Sequence, residues 1–209
     1  MTIHKPGAAM AQRKNTGTTD YFPTPPWATE ALLKHLDREG ETLGDQICLE
    51  PAAGGGHMVD VLATKFGSVE ACDISDPENR GWGGTDYLTS GTLVAYGPGR
   101  DHPARNYDWI ITNPPFKLAE QFILKAIQEA DRGVAMLCRT VFLESRGRYE
   151  RLFSKRPPHT VLVFSERVTM VEGRIAEKGV ASATSYSWFI WYTCDDAPAA
   201  SGIRWVPPR

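Results

Sequence analysis

Short apolar segments alternate with helical segments along most of the chain, and this alternation restricts the fold more than any other feature. QICLE, SVEACDIS and YDWIIT have the length and composition of buried strands, whereas HMVDVLATKFG and LAEQFILKAIQEAD have the apolar spacing of helices. The segments GVAMLCRTVFL, HTVLVFSERVTM and SYSWFIWYT predict three further strands, the last two being antiparallel neighbours. Strands separated by helices of this length predict an α/β fold with a mainly parallel sheet covered on both faces.

The 209 residues are enough for one substantial core. Residues 1–19 are polar and show no hydrophobic period, so we expect a mobile N-terminal arm. Residues 20–195 contain the alternating segments and are predicted to form a single catalytic domain. Residues 196–209 follow the last predicted strand, and we expect them to form a C-terminal tail.

Composition excludes several classes of protein. The net charge of −2 argues against a protein that coats nucleic acid, although the part up to Phe116 carries −6 and the remainder +4. The four cysteines and five histidines show no metal-binding or redox spacing, so we expect reduced thiols and no metal. No apolar stretch has membrane-spanning length and no signal peptide is evident, which favours a cytoplasmic protein without a membrane partner.

The stretch LEPAAGGGHM places Glu50 at the end of a predicted strand and three glycines, Gly54 to Gly56, in the following turn. Glycine allows the backbone to adopt positive φ and to approach a ligand closely, so this turn can hold an adenosine-containing cofactor. A tight turn between a strand and a helix is the alternative. The spacing differs from the G-x-G-x-x-G pattern that binds a pyrophosphate, which disfavours a nicotinamide dehydrogenase.

Two aspartates follow in positions suited to the same cofactor. Asp73 ends the next predicted strand, where a carboxylate can accept hydrogen bonds from both ribose hydroxyls. Asp86, in GGTDYL, follows a third, weakly marked strand and could accept a hydrogen bond from an adenine amino group. Surface or turn aspartates are the alternatives.

The most specific element is NPPF, at the end of the strand DWIIT. Proline biases the residue before it toward an extended conformation, so Asn113 is held stiffly at the carboxyl edge of the sheet. The Asn113 amide oxygen and the Pro114 carbonyl could accept both hydrogens of an aromatic amino group and turn its lone pair toward an electrophile. Phe116 could stack on the ring that carries this group. Such a site depends on fixed geometry more than on a strong base.

FPTPPW, EPAAGGG, CDIS, TDYL and TNPPF together resemble the class I S-adenosylmethionine-dependent methyltransferases, specifically the DNA N6-adenine type, over residues 20 to about 192. The later segments resemble a small phage and prophage group of adenine methyltransferases. The resemblance implies a Rossmann-like seven-stranded sheet with an antiparallel last strand, S-adenosylmethionine as cofactor, and direct transfer of its methyl group without a metal.

The resemblance also implies roles for residues at matching positions. The target amino group and its ring would be held by Asn113, Pro114, Pro115 and Phe116. The cofactor would be held by Phe22, Thr24, Pro25, Glu50, Ala52, Gly54, Asp73, Ile74, Asp86 and Asn113.

Residues 139–156 carry six Arg or Lys against two Glu and could contact phosphates, although a solvated helix face is an equal alternative. The polar connector at 172–184 could also reach a groove. The predicted nucleic-acid-binding residues are Arg139, Arg146, Arg148, Arg174 and Lys178. Trp188 and Trp191 are expected to pack in the core rather than stack on bases.

Larger members of the resembled type append a target-recognition domain, for which we expect no room here, so low or short sequence specificity is predicted for DNA as the partner. RNA adenine and a protein glutamine amide remain alternative acceptors. Stacking on Phe116 stabilises a flat ring more than an amide, which favours adenine as the acceptor. A catalytically degenerate module that binds the cofactor or a partner is the alternative from another class. The sequence leaves monomer and homodimer equally open.

Overall fold

The computed structural model describes residues 21–90, 107–177, 180, 182–199 and 202–209. The predicted N-terminal arm at 1–19 and Lys178 lie outside the described residues. Within them, seven strands form one sheet, in the spatial order β2-β1-β3-β4-β6-β5-β7. The strands are β1 (Ile47–Glu50), β2 (Ser68–Ala71), β3 (Tyr107–Thr112), β4 (Ala130–Arg139), β5 (Thr160–Phe164), β6 (Tyr186–Tyr192) and β7 (Gly202–Val206).

Six of the seven strands point in the same direction. The strands β1, β2, β3 and β4 pair in parallel, as do β5 and β7, and β6 is antiparallel to both of its neighbours, β4 and β5. The predicted mostly parallel, Rossmann-like sheet with seven strands and an antiparallel strand is therefore confirmed. The expectation that the last strand is antiparallel was wrong, because β7 pairs with β5 in parallel and the antiparallel strand is β6, inside the sheet.

Two local predictions were wrong. The third strand that was predicted just before Asp86 is not formed, since residues 72–90 contain only turns, bends and irregular backbone. The supposed tail at 196–209 contains β7, which pairs with β5 from Thr160↔Gly202 to Phe164↔Val206 and forms one edge of the sheet. Its mixed sequence, GIRWV, gave no clear strand pattern because an edge strand needs only partial burial.

In the described part of the chain, three main helices cover the sheet: α1 (Pro26–Arg38), α2 (His57–Leu62) and α3 (Ala119–Glu129). A short α-helical turn, α4 (Arg146–Arg148), leads into a π-helical turn at Tyr149–Phe153, and two 3₁₀ turns span Leu43–Asp45 and Thr140–Leu143. Proline at the first position of α1 suits a helix start, because it has no N–H that would need a partner there.

Side chains alternate between the two faces of the central strands, and both faces are buried. Ile110 packs with the α3 side chains Phe122 and Ile123, whereas Trp109 and Ile111 pack on the opposite face with side chains of α1 and α2. Burial on both sides explains the nearly continuous apolar runs of these strands.

The topology places a crevice at the carboxyl ends of β1 and β3. The strand β2, which follows β1 in the chain, lies on one side of β1 in the sheet, whereas β3 and β4 lie on its other side. In open α/β sheets such a switch point is the usual ligand site. Glu50 ends β1, Cys72 and Asp73 follow β2, and Asn113 follows β3, so the predicted site residues meet at this edge.

Candidate active site

A cleft of about 260 Å³ opens at the switch point of the sheet. It is built from the segment preceding α1, the turn after β1, the turn after β2 and the NPPF motif after β3. Its lining consists of Tyr21, Phe22, Pro23, Thr24, Glu50, Ala52, Ala53, Gly54, Gly55, His57, Met58, Asp73, Ile74, Ser75, Asn113, Pro114, Pro115, Phe116 and Leu118.

Glu50 forms the floor of this cleft and is 1% exposed. One carboxyl oxygen, Oε1, accepts hydrogen bonds from the Thr112 hydroxyl, at the end of β3, and from the Ala52 N–H at 3.4 Å. Burial raises the pKa of the Glu50 carboxyl to about 8, against the opposing effect of the Thr112 hydrogen bond. Burial thus favours the neutral form of this carboxyl group, and a positive charge beside it would favour the ionised form.

The glycine turn adopts backbone conformations that require glycine. Gly54 has φ +50° and Gly56 has φ +83°, both in the left-handed region. A Cβ at Gly54 would lie 2.7 Å from the Tyr21 ring, and a Cβ at Gly56 would lie 2.5 Å from the Trp82 ring. The turn therefore lies directly against side chains from two other segments. Only glycine leaves room for this close contact.

The Asp73 carboxylate fixes the glycine turn and the turn after β2. Oδ2 accepts from the Gly54 N–H at 2.8 Å, and Oδ1 accepts from the Ser75 N–H at 2.8 Å and from its hydroxyl at 3.1 Å. A carboxylate has about four acceptor positions, so one position on Oδ2 remains for a donor in the cleft. Asp73 thus joins the two loops and still presents an acceptor.

The Asn113 side chain is held in one orientation. Its Nδ2 donates to the Phe22 carbonyl at 3.0 Å and contacts the Met170 sulfur at 3.7 Å. Because a carbonyl only accepts, the amide nitrogen must face Phe22, and Oδ1 points elsewhere. Oδ1 is buried and has no partner among the described residues. A buried acceptor without a partner costs free energy unless a ligand supplies the donor.

Phe116 packs among aromatic side chains at the end of the motif. Its ring centroid lies 5.1 Å from that of Phe22 and 6.1 Å from that of Tyr186, with tilts of 40° and 39°. The Arg139 guanidinium lies over the Phe116 ring, 4.2 Å from its centroid. The ring is thus half-buried and held at the wall of the cleft.

Most residues that the sequence assigns to the site line this one cleft, and two do not. Pro25 immediately precedes α1, on the far side of Thr24. Asp86 begins a turn, where its Oδ1 accepts from the Leu88 N–H at 3.0 Å and its carbonyl accepts from the Thr89 and Ser90 N–H groups. The cofactor-binding roles of all of these residues remain predictions.

A polar group that the sequence did not predict lies beside the glycine turn. Glu78 accepts a hydrogen bond from the Tyr21 hydroxyl at 3.0 Å and pairs with His57 Nε2 at 3.2 Å. Burial, with the Glu78 hydrogen bond next in size, raises the pKa of Tyr21 to about 12. Only the position of His57, directly after the glycines, could have signalled this group, because its members are far apart in sequence.

Most predicted nucleic-acid-binding residues have partners within the protein. Arg146 pairs with Glu150, and Arg174 pairs with Glu177. Arg148 donates from Nε and Nη2 to two backbone carbonyl groups, each at 2.8 Å. Their contact with phosphates remains a prediction. Trp188 and Trp191 are 0% and 3% exposed, which confirms that they pack in the core.

Within the described ranges, no group of three or more His, Cys, Asp or Glu side chains could hold a metal ion. No described helix combines the length and apolar character needed to cross a bilayer. All four cysteines are free thiols.

No protein-family model matches the sequence, and no curated protein is similar to it. Solved structures do match. A protein from Listeria monocytogenes, provisionally assigned as a class I S-adenosylmethionine-dependent methyltransferase, has a TM-score of 0.61 at 11% identity, over 92% of this chain and 68% of that chain.

Two further structures match at similar levels. A provisionally assigned modification subunit of a type I restriction enzyme from Vibrio vulnificus has a TM-score of 0.59 at 14% identity, and 90% of this chain spans 48% of that one. A provisionally assigned RNA methyltransferase from Pyrococcus horikoshii has a TM-score of 0.54 at 16% identity, over 82% and 85% of the two chains. The chain therefore has the fold of class I S-adenosylmethionine-dependent methyltransferases.

Proposed function

We propose that the protein is an S-adenosylmethionine-dependent methyltransferase that modifies the N6 amino group of adenine in DNA, with low or short sequence specificity. The observation that carries this proposal is the buried Asn113 Oδ1, which has no hydrogen-bond partner among the described residues and lies in a residue that lines one cleft with Phe116, Asp73 and the glycine turn. An acceptor, a flat aromatic surface and a nucleoside-type site at one sheet edge suit an aromatic amine as substrate.

The residues present fit the proposed cofactor. Asp73 keeps an acceptor position for a ribose hydroxyl, the buried Thr24 hydroxyl lies in the lining, and no pyrophosphate-binding glycine pattern is present. Glu50 is a buried carboxyl group that can lose its proton beside a cation, which suits a positively charged sulfonium compound. S-adenosylmethionine would supply the activated methyl group.

The protein side chains would act on the acceptor through geometry. Asn113 Oδ1 would accept one hydrogen of the target amino group, and this hydrogen bond would draw the nitrogen lone pair out of conjugation with the ring. Because the Phe22 carbonyl already holds the Asn113 amide, the orientation of this acceptor is set before the target arrives. Phe116 would hold the ring by stacking.

Two of the solved structures with a similar fold support different classes of methyl acceptor. The match to a restriction-modification subunit supports DNA, and the match to an RNA methyltransferase keeps RNA adenine as the second candidate. Proteins of this fold act on many acceptors, so the fold by itself does not choose between them.

The test is transfer of a tritiated methyl group from S-adenosylmethionine to unmethylated duplex DNA, denatured DNA and total RNA, followed by mass spectrometry of the nucleosides. We expect N6-methyladenine in DNA, and a loss of at least about 100-fold in the rate for Asn113→Ala with a much smaller loss of cofactor affinity, because Asn113 is one of several predicted cofactor contacts. The exposed Gln128→Ala is the matched control and should keep full activity. Product in RNA alone, or no transfer to any nucleic acid although the cofactor binds, would refute DNA as the substrate.

A further inference from the structure

A second cavity of about 180 Å³ adjoins the cleft on the other side of the NPPF motif. Pro114 and Phe116 line both spaces, so a group in one lies next to a group in the other. Cavities of roughly 150 Å³ hold one benzene molecule, so this space suits a single flat ring system. Its other lining residues are Ala119, Leu137, Cys138, Arg139, Val141, Phe142 and Arg148.

The two arginines of this cavity differ in their bonding. Arg148 is held by hydrogen bonds, since Nε donates to the Phe142 carbonyl and Nη2 to the Glu144 carbonyl, and its guanidinium lies over the Phe142 ring. The Arg139 guanidinium lies on Phe116 at 4.2 Å, and its Nε is buried without a partner in the described part of the chain. Arg148 therefore stabilises the segment that contains Phe142 and Glu144. Arg139, in contrast, loses no hydrogen bond at Nε when its guanidinium moves.

The position of Arg139 matters because it covers the surface on which a target ring would stack. A guanidinium is planar and weakly hydrated, so it can stack on the ring of a target base as it does on the Phe116 ring. The remaining lining is largely apolar, which suits a neutral ring better than a phosphate group. A ring that replaced Arg139 on Phe116 would therefore meet the guanidinium on its own outer face.

We propose that Arg139 is a substrate-binding residue that stacks on the target adenine. In this arrangement the base enters the second cavity between the Phe116 ring and the Arg139 guanidinium. The proposal rests on the proposed function, and it assigns Arg139 to the base instead of the phosphate backbone. Lysine cannot replace it, because an ammonium group has no plane to stack.

The test compares two labelled single-stranded 12-residue thymidine oligonucleotides, one with a central adenine and one with an abasic site at that position. Their dissociation constants are measured by fluorescence anisotropy with S-adenosylhomocysteine present, and the ratio of the two constants measures recognition of the base. Stacking of one base predicts a ratio of roughly 5 to 100 for the unaltered protein. Single strands remove the cost of extracting the base from a duplex.

We expect Arg139→Lys to lower this ratio by roughly 3- to 10-fold while affinity for the abasic oligonucleotide changes less than about twofold. Arg139→Met, which keeps an apolar stem, should lower the ratio similarly. Arg38→Lys is the matched control, because Arg38 is an exposed arginine at the end of α1 that lines neither cavity, and its ratio should not change. Thermal melting of each variant identifies any loss of folding.

Two results would overturn the proposal in distinguishable ways. If both oligonucleotides weaken equally in Arg139→Met and the salt dependence of binding falls, Arg139 contacts phosphate and the stacking role is wrong. If the unaltered protein does not distinguish adenine from the abasic site and methylates no DNA, the proposed function fails, and the proposal fails with it.

Discussion

Replacing Glu50 by Gln should change the way in which stability depends on pH. The Glu50 carboxyl is buried and its pKa is raised from 4.5 to about 8, so the folded protein holds a proton that the unfolded chain loses above about pH 4.5. The contribution of Glu50 to stability is therefore fully present below pH 4.5. It falls as the pH rises and levels off beyond about pH 8.

The size of this effect follows from the pKa difference. At about 1.4 kcal/mol per pKa unit, the difference corresponds to at most about 5 kcal/mol between acidic and alkaline pH. Gln is neutral at every pH, and its amide oxygen can still accept from the Thr112 hydroxyl, so it imitates the protonated carboxyl group. Glu50→Gln should match the unaltered protein at pH 4.5 and exceed it in stability by several kcal/mol at pH 9.

The assay is urea unfolding followed by circular dichroism between pH 4.5 and 9, without added cofactor. The quantity of interest is the difference between the two free energies of unfolding, because other titrating groups cancel in it. Glu30→Gln, which alters an exposed carboxylate on α1, is the control for the removal of a carboxyl group. A difference for Glu50→Gln that does not change with pH would refute the claim that Glu50 is protonated in the folded protein at neutral pH.

Two further predictions concern the support of the fold. Gly56→Ala should lower the free energy of unfolding by about 2 to 3 kcal/mol, because φ is +83° and the new Cβ would lie 2.5 Å from the Trp82 ring. The control Gly40→Ala, at φ +89° with open space around the Cβ, should lower it by only about 1 kcal/mol. Equal shifts of the melting temperature in the two variants would refute the role of Trp82. Glu41→Gln should lower the free energy of unfolding in urea by about 2 kcal/mol. The reason is that the Glu41 carboxylate, which is 1% exposed, accepts hydrogen bonds from Arg132 Nε and Nη2, each at 2.8 Å. A loss below about 0.5 kcal/mol would contradict this reasoning.

Much of the site could be predicted because its chemistry lies at the ends of strands. Glu50, Asp73 and Asn113 each stand at or just after the last residue of a parallel strand, and the carboxyl ends of parallel strands meet at one sheet edge. Prediction failed where burial is partial or the backbone irregular. The strand β7 was taken for a tail because only one of its sides is paired, and the turns before Asp86 were taken for a strand.

Local sequence patterns are enough to predict the main helices, the strands β1 to β6, the glycine turn and the rigid NPPF corner, because apolar periodicity and the backbone preferences of Gly and Pro act over a few residues. The orientation of the side chains in the site follows only from the folded chain. The bond that fixes the Asn113 amide joins residues 91 positions apart, and the Arg139 guanidinium reaches Phe116 from the end of β4. Such contacts depend on how whole elements pack together, which no local pattern specifies.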